Sequence, residues 1–339
     1  MRIGFNPNKD KELPISDFFH QVIIPVYIPN QEGYFKHSFV ILKYCLDTLF
    51  KTSHKKTYFS VINNGSCKEI VDYLNDLLEE EKIHELVHTN NIGKLNAILK
   101  GVSGHKFQIV TITDADVLFL NNWQKKTYEI FEVYPKAGAV CPTPSSKVLK
   151  QNTSNIIVEN MFSKKMKFTP TFNRDALLNF AKSIGNPNFY NEYQLSSNLT
   201  ISNKNTKAVV GAGHFVTTYR GSIFNKLQDR FSNFSLGGDT ENVFLDAPVA
   251  DMGYWRLSTE DNYAYHMGNV FEPWMKECIL SLKDDSYIEQ VCPKLKTNNS
   301  IKLFNSLKKI FFLKILCRKP IWNLFLQYKG LSKKEAKNY

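Results

Sequence analysis

Residues 110–122 read VTITDADVLFLNN, an apolar, β-branched run that ends in Asp114 and Asp116 with one small residue between them. Side chains two apart on a strand share a face, so both carboxylates can point at the same cation. Oxygen ligands of this kind suit Mg²⁺ or Mn²⁺, ions that commonly hold a substrate diphosphate as well. Asp-x-Asp alone is too short a pattern to define a site, so the elements around it must supply the specificity.

Those elements alternate. Residues 22–28 (VIIPVYI) form a short buried strand, and apolar residues at helical spacing follow over 37–50. A second strand over 58–62 ends at Asn63-Asn64-Gly65-Ser66, a turn signal with Ser66 as the expected N-cap of an amphipathic helix over 69–78. A brief strand over 85–88, a helix opened by Asn91-Ile92-Gly93-Lys94, and a strand over 107–113 complete the series. Such alternation predicts a sheet, mainly parallel, with helices on both faces and ligands beyond the carboxyl ends of its strands, where Asn63 and the aspartates fall. The second half is less regular. Strands are expected at 137–141 and 208–210, a helix plus surface loops over 152–205, and a short helix opened by Gly237-Gly238-Asp239-Thr240-Glu241 and ended by Pro248.

The chain has 339 residues and a formal charge of +11, but the charge is localised. From residue 302 onward ten Lys and Arg face Glu335 alone, which leaves the preceding residues close to neutral. A nucleic-acid footprint over the body is therefore excluded. No apolar run approaches the roughly 18 residues that a membrane span needs, and no leader pattern follows Met1, so the chain is expected in the cytoplasm. Six cysteines without a C-x-x-C pair argue against zinc and a disulfide framework. The segment 300–339 interleaves lysines with Leu303, Phe304, Leu307, Ile310 and Trp322, a basic amphipathic helical tail expected to lie on an anionic membrane surface.

Taken in order, Ile24-Pro25-Val26-Tyr27, Val61-Ile62-Asn63-Asn64-Gly65-Ser66, the Asn91–Ala97 run and Thr113-Asp114-Ala115-Asp116 resemble glycosyltransferase family 2, the nucleotide-diphospho-sugar transferases of the GT-A fold. The resemblance covers about residues 22–269. It implies one GT-A domain over 1–299, with a nucleotide-binding half at about 20–120 and an acceptor-binding half at about 121–299, followed by the tail.

It also implies roles. Pro25, Val26 and Tyr27 match the segment under the nucleotide base, and Asn63 matches a base-contacting acid that is here an amide. Lys94 matches a cation near the diphosphate, and Asp114 a contact to the ribose or metal. Asp116 matches the direct metal ligand, and His266, in the strand-like run 263–269, the late histidine that completes a metal site. The proton acceptor of such enzymes sits in an acidic pair before a helix, which here reads Glu241-Asn242; Asp239 and Glu241 are both candidates, Asp239 ahead because glycines expose it. The implied reaction moves a sugar from a nucleotide-sugar, UDP-linked by family habit, to a glycan or lipid-linked acceptor in bacterial polysaccharide, lipopolysaccharide or capsule synthesis. Inversion is expected, with retention, or a sugar-nucleotide-binding protein without catalysis, as alternatives. Nucleotidyl transfer would need a glycine-rich loop that residues 22–33 lack.

Overall fold

The computed structural model describes residues 4–12, 16–227, 230–298 and 300–339. Twelve strands are formed among them: β1 (His20–Val26), β2 (Thr57–Asn64), β3 (Glu85–Thr89), β4 (Ile109–Thr113), β5 (Val117–Phe119), β6 (Ala137–Cys141), β7 (Met166–Pro170), β8 (Ser197–Asn203), β9 (Thr206–Val210), β10 (Val216–Arg220), β11 (Trp255–Thr259) and β12 (Ala264–His266). Ten of these make one sheet in the order β3-β2-β1-β4-β10-β6-β11-β9-β8-β7, while β5 and β12 pair separately. The first four are mutually parallel, and only β10, β9 and β7 run against the rest. This is the mixed, mainly parallel sheet that the alternating pattern predicts.

Period-2 alternation explains how β1 holds helices on both faces. Val22, Ile24 and Val26 point into the core beneath helices α1 (Ser38–Thr52) and α2 (Lys68–Glu79). Ile23 points the other way and meets Leu95 and Ile98 of α3 (Lys94–Val102). Each such fully buried side chain contributes about 1.5–3 kcal/mol. Pairing of β1 with β2 runs to Val26, but pairing with β4 stops at Ile23. Pro25, which has no N–H to give a second neighbour, lies where the two strands part, and the cleft opens there.

Several local expectations change. Ser66 does not cap α2, whose N-cap is Cys67; its hydroxyl instead accepts the Ile28 N–H at 3.0 Å and ties the ends of β1 and β2 together. The span 152–205, expected as a helix and loops, also contains β7 and β8, and β10 emerges from the glycine-rich run after β9. Pro248 does not end the helix: the π turn Asn242–Asp246 runs directly into Ala247–Asp251, and Pro248 lies just after that irregular turn.

The tail is helical, as expected, over Lys302–Phe311, Lys319–Tyr328 and Lys333–Asn338. It is not an appendage. Phe312, Leu316, Trp322, Phe325 and Leu326 are buried in one core cluster with Ile156, Met166, Leu199 and Ile201. Lys308 reaches Glu159 at 2.5 Å, and Lys329 donates to the carbonyls of Asn160 and Ser163. Trp322, expected at a membrane surface, is inside the protein. The expected boundary at 299/300 falls on residue 299, outside the described residues.

Under the sheet lies a buried polar cluster. His20 meets Tyr128 Oη at 2.5 Å and Thr111 Oγ1 at 2.7 Å, and His54 Nε2 meets the same phenol at 2.8 Å. Burial, and for His54 also nearby Lys56, lowers the pKa of His54 to about 4; burial and His54 drive His20 well below its ordinary 6.5. Both rings are neutral in the folded protein, while the unfolded chain binds protons near pH 6.5. Their stability contribution is therefore complete above that value and is lost as pH falls toward about 4, with about 2 kcal/mol gone for His54 by pH 5. Thermal melts from pH 7 to 5 should show a falling Tm, and His54→Gln should flatten that fall; an unchanged slope would place the acid sensitivity elsewhere.

Candidate active site

A cavity of about 400 Å³ opens beyond the carboxyl ends of β1 and β4. Pro25, Val26 and Tyr27 from the end of β1 line it, together with Lys94, Asp114 and Asp116. Six of the residues singled out in the sequence thus line one cavity. Asn63 does not join them: it is buried, its carbonyl accepts the Ser66 N–H at 3.0 Å, and its amide lies 2.9 Å from His88 Nδ1. The neighbouring Asn64 lines the cavity instead, because successive strand residues face opposite ways. Asn64 also accepts the Ile92 N–H at 2.9 Å, so the β2 turn holds the start of α3.

Lys94 occupies the first position of α3, where the helix dipole disfavours a cation. Its amine is nevertheless 2.6 Å from Asp114 Oδ1 and 3.5 Å from Glu241 Oε1. Burial opposes its charge, yet the two acids outweigh burial and hold its pKa above the ordinary lysine range. Burial pushes Glu241 up and Lys94 pulls it down, leaving it below the usual carboxylate range. The loop before Glu241 lies across the start of α3. Lys94 N–H donates to Ser235 C=O at 2.9 Å, and Asn96 exchanges two bonds of 2.8 Å with the Ser232 backbone. Gly93, at φ +89°, leaves no room for a side chain there: a Cβ would come within 2.7 Å of Phe234 C=O.

Asp116 and His266 meet through the ribbon of β5 and β12. Val117 is in register with His266, and Met267 N–H donates to Asp116 C=O at 2.8 Å. His266 Nε2 is 3.4 Å from Asp116 Oδ2, while Nδ1 lies 2.9 Å from the Ser183 hydroxyl, which fixes the ring. Gly268, at φ +70°, lets this strand end pass Ser183, whose carbonyl a Cβ would meet at 2.6 Å. Nothing in the local sequence around either residue pointed to Ser183, which lies 83 residues before His266. Burial first, then Asp114, lifts the Asp116 carboxyl above the usual range, against the pull of His266 and Lys94. Its Oδ1 is buried without a hydrogen-bond partner. A cation would satisfy that oxygen and reverse the shift. Among the described residues no three His, Cys, Asp or Glu side chains gather at metal-ligand spacing. Asp116 and His266 fit an ion that takes its remaining ligands from a diphosphate and water, while Asp114, also expected at the metal, has its Oδ1 paired with Lys94.

The two candidate proton acceptors separate. Glu241 belongs to the Lys94 and Asp114 group, while Asp239, at φ +60°, is exposed, accepts from Asn242 Nδ2 at 2.8 Å and lines a second cavity of about 610 Å³. His214, Asn152 and Lys309 border the same cavity.

Residues 22–187 match the sequence model described as Glycosyl transferase family 2. The match covers just under half of the chain and includes the Asp-x-Asp strand end; with the mixed, mainly parallel sheet it is consistent with a GT-A type glycosyltransferase. No curated protein matches the chain. Among solved structures, a mannosyltransferase from Pyrobaculum calidifontis in complex with GDP-Man and Mn²⁺ aligns with 72% of the chain at 15% identity and a TM-score of 0.40. The alignment covers 55% of that protein, so this chain spans about half its length. S. aureus TarS 1–349 aligns with 92% of the chain, over 81% of its own length, at 12% identity and a TM-score of 0.44.

Removing the Lys94 amine leaves Asp114 and Glu241 uncompensated. Lys94→Met is expected to lower unfolding stability by about 1–3 kcal/mol in urea titrations. Adding Asp114→Asn and Glu241→Gln should recover most of the loss; a triple variant no more stable than Lys94→Met would show that the pairing is not what the lysine supplies.

Proposed function

We propose that this chain transfers a sugar from a nucleotide-diphospho-sugar to a hydroxyl of a glycan or lipid-linked acceptor, using Mn²⁺ or Mg²⁺. The observation that carries the reading is that Lys94, Asp114 and Asp116 line the same cavity as Pro25, Val26 and Tyr27. In this reading the end of β1 and Asn64 receive the nucleoside, and Asp114 orients Lys94 toward the diphosphate. Asp116 and His266 hold the cation. When bound, the ion neutralises charge that develops on the diphosphate as the sugar bond breaks. The loop ending at Glu241 covers the donor, and the cavity bordered by Asp239 and Asn152 receives the acceptor. UDP-sugars are the first donors to examine, inversion is the stereochemistry proposed, and bacterial surface-polysaccharide synthesis is the setting.

The reading includes a cytoplasmic, peripheral membrane location, and the exposed side of the tail supports the membrane contact. Leu303, Phe304, Leu307, Ile310 and Leu313 are all exposed by more than half, beside Lys302 and Lys314. Each Lys near an anionic surface adds about 1 kcal/mol. No helix among the described residues is long and apolar enough to cross a membrane.

A panel of UDP- and GDP-sugars scored by released nucleoside diphosphate tests the transferase reading. Turnover should require Mn²⁺ or Mg²⁺, vanish with EDTA, and drop about 10²–10³-fold in Asp116→Ala. A chain that neither binds nor turns over any donor with either ion is a binding or scaffold protein at most, and the reading is lost. For the membrane, Leu303→Ser with Phe304→Ser and Leu307→Ser should abolish co-sedimentation with phosphatidylglycerol vesicles while leaving the buried side of the tail intact. Equal sedimentation of variant and parent would remove the membrane reading.

A further inference from the structure

His214 follows the Gly211-Ala212-Gly213 turn between β9 and β10, and no role proposed above uses it. Its Nδ1 is 3.0 Å from Oδ2 of Asp246, an approach at ion-pair range. Neither atom makes a hydrogen bond, to the other or to any third group, and both are buried. Asp246 is wholly buried, which for a carboxylate demands compensation. Half of that comes from Arg256, equally buried, whose Nη2 meets Oδ1 at 2.7 Å. Arg256 is itself fixed by donation to the carbonyls of Gln151 and Ala212, at 3.0 and 2.7 Å. The second carboxylate oxygen is left to the histidine.

The ring is about one-third exposed, with Nδ1 buried, so its open edge carries Nε2. That edge borders the second cavity beside Asn152, Asp239 and Asn242. His214 also helps to hold the Glu241 carboxylate in its charged form, after the larger pull of Lys94. Of the two carboxylates proposed for the acceptor side, Glu241 is engaged by Lys94, and Asp239 stands in the exposed turn paired with Asn242. A buried carboxylate behind an imidazole fixes the tautomer and ring orientation and stabilises the cation formed when the ring takes a proton.

We propose that His214, backed by Asp246 and Arg256, is the catalytic proton acceptor of the attacking hydroxyl, with Asp246 a positioning residue. The proposal rests on the transferase reading above. The acceptor oxygen bonds to the anomeric carbon, and the bond from that carbon to the diphosphate oxygen breaks with its electron pair going to the diphosphate. The hydroxyl proton passes to Nε2 and then to solvent. The imidazolium is stabilised for that interval by the Asp246 carboxylate behind the ring.

The experiment needs no identified acceptor, because water serves as one. With a donor that the unmodified protein hydrolyses in Mn²⁺, His214→Ala should lower kcat about 10²-fold while the donor KM changes less than about threefold. Added imidazole should restore at least about tenfold of the loss in His214→Ala and nothing in Asp116→Ala. His214→Gln, which keeps the volume and a polar edge, should be as slow as His214→Ala and melt with the unmodified protein. Turnover retained in His214→Ala, loss carried by KM alone, or loss that imidazole does not recover would each overturn the assignment. Absence of turnover in the unmodified protein would instead defeat the transferase reading on which it rests.

Discussion

A single amine holds the site together. Lys94 is the point at which α3, the end of β4 and the loop before Glu241 meet, and each partner would be costly without it: two carboxylates turned toward one another at the mouth of a low-dielectric cleft. Its placement at the start of a helix runs against the dipole and is sustained only because two acids face it. The loop 232–241 depends on the same spot, since its backbone bonds go to Lys94 and Asn96 and its close approach is possible only over Gly93. The cavity wall at Lys94 and the loop that ends at Glu241 are therefore parts of one electrostatic arrangement.

The first half of this arrangement is legible in the sequence because its signals are local. A β-branched run ending in two aspartates, a turn with Asn-Asn-Gly, and a glycine before Lys94 each declare themselves within a few residues, and the cavity lining follows from them. One strand residue makes the difference between Asn63 and Asn64: the turn reads clearly, but which amide faces the cleft depends on the pleat. The second half is opaque for a different reason. β10 inserts between β4 and β6 as an antiparallel partner, and β7 and β8 pair across a helical excursion, so nothing in the adjacent sequence marks their neighbours. The same holds for Ser183 behind His266 and for Asp246 behind His214, partners supplied by distant segments.

Length and composition also mislead at the C-terminal end. Lysines interleaved with aromatics read as a free amphipathic tail, because periodicity reports that a helix has an apolar face but not how many such faces it has. Here there are two. Phe312, Leu316, Trp322 and Phe325 close the core beneath β7 and β8, and a separate row from Leu303 to Leu313 remains outside. The buried Lys329, bonded to two carbonyls, shows that even a cation of this segment serves internal packing.

The ribbon of β5 and β12 has a consequence in time. Asp116 and His266 stand side by side although 150 residues of chain separate them, and three paired residues on each strand enforce the meeting. During synthesis from the N-terminus, the strands and helices of the nucleotide half can collapse as soon as β4 has emerged. The pairing of Asp116 with His266 cannot exist until β12 is made. A nascent chain thus holds Asp116 through most of its elongation without the histidine beside it, and the pair forms only after the intervening strands and helices have been made.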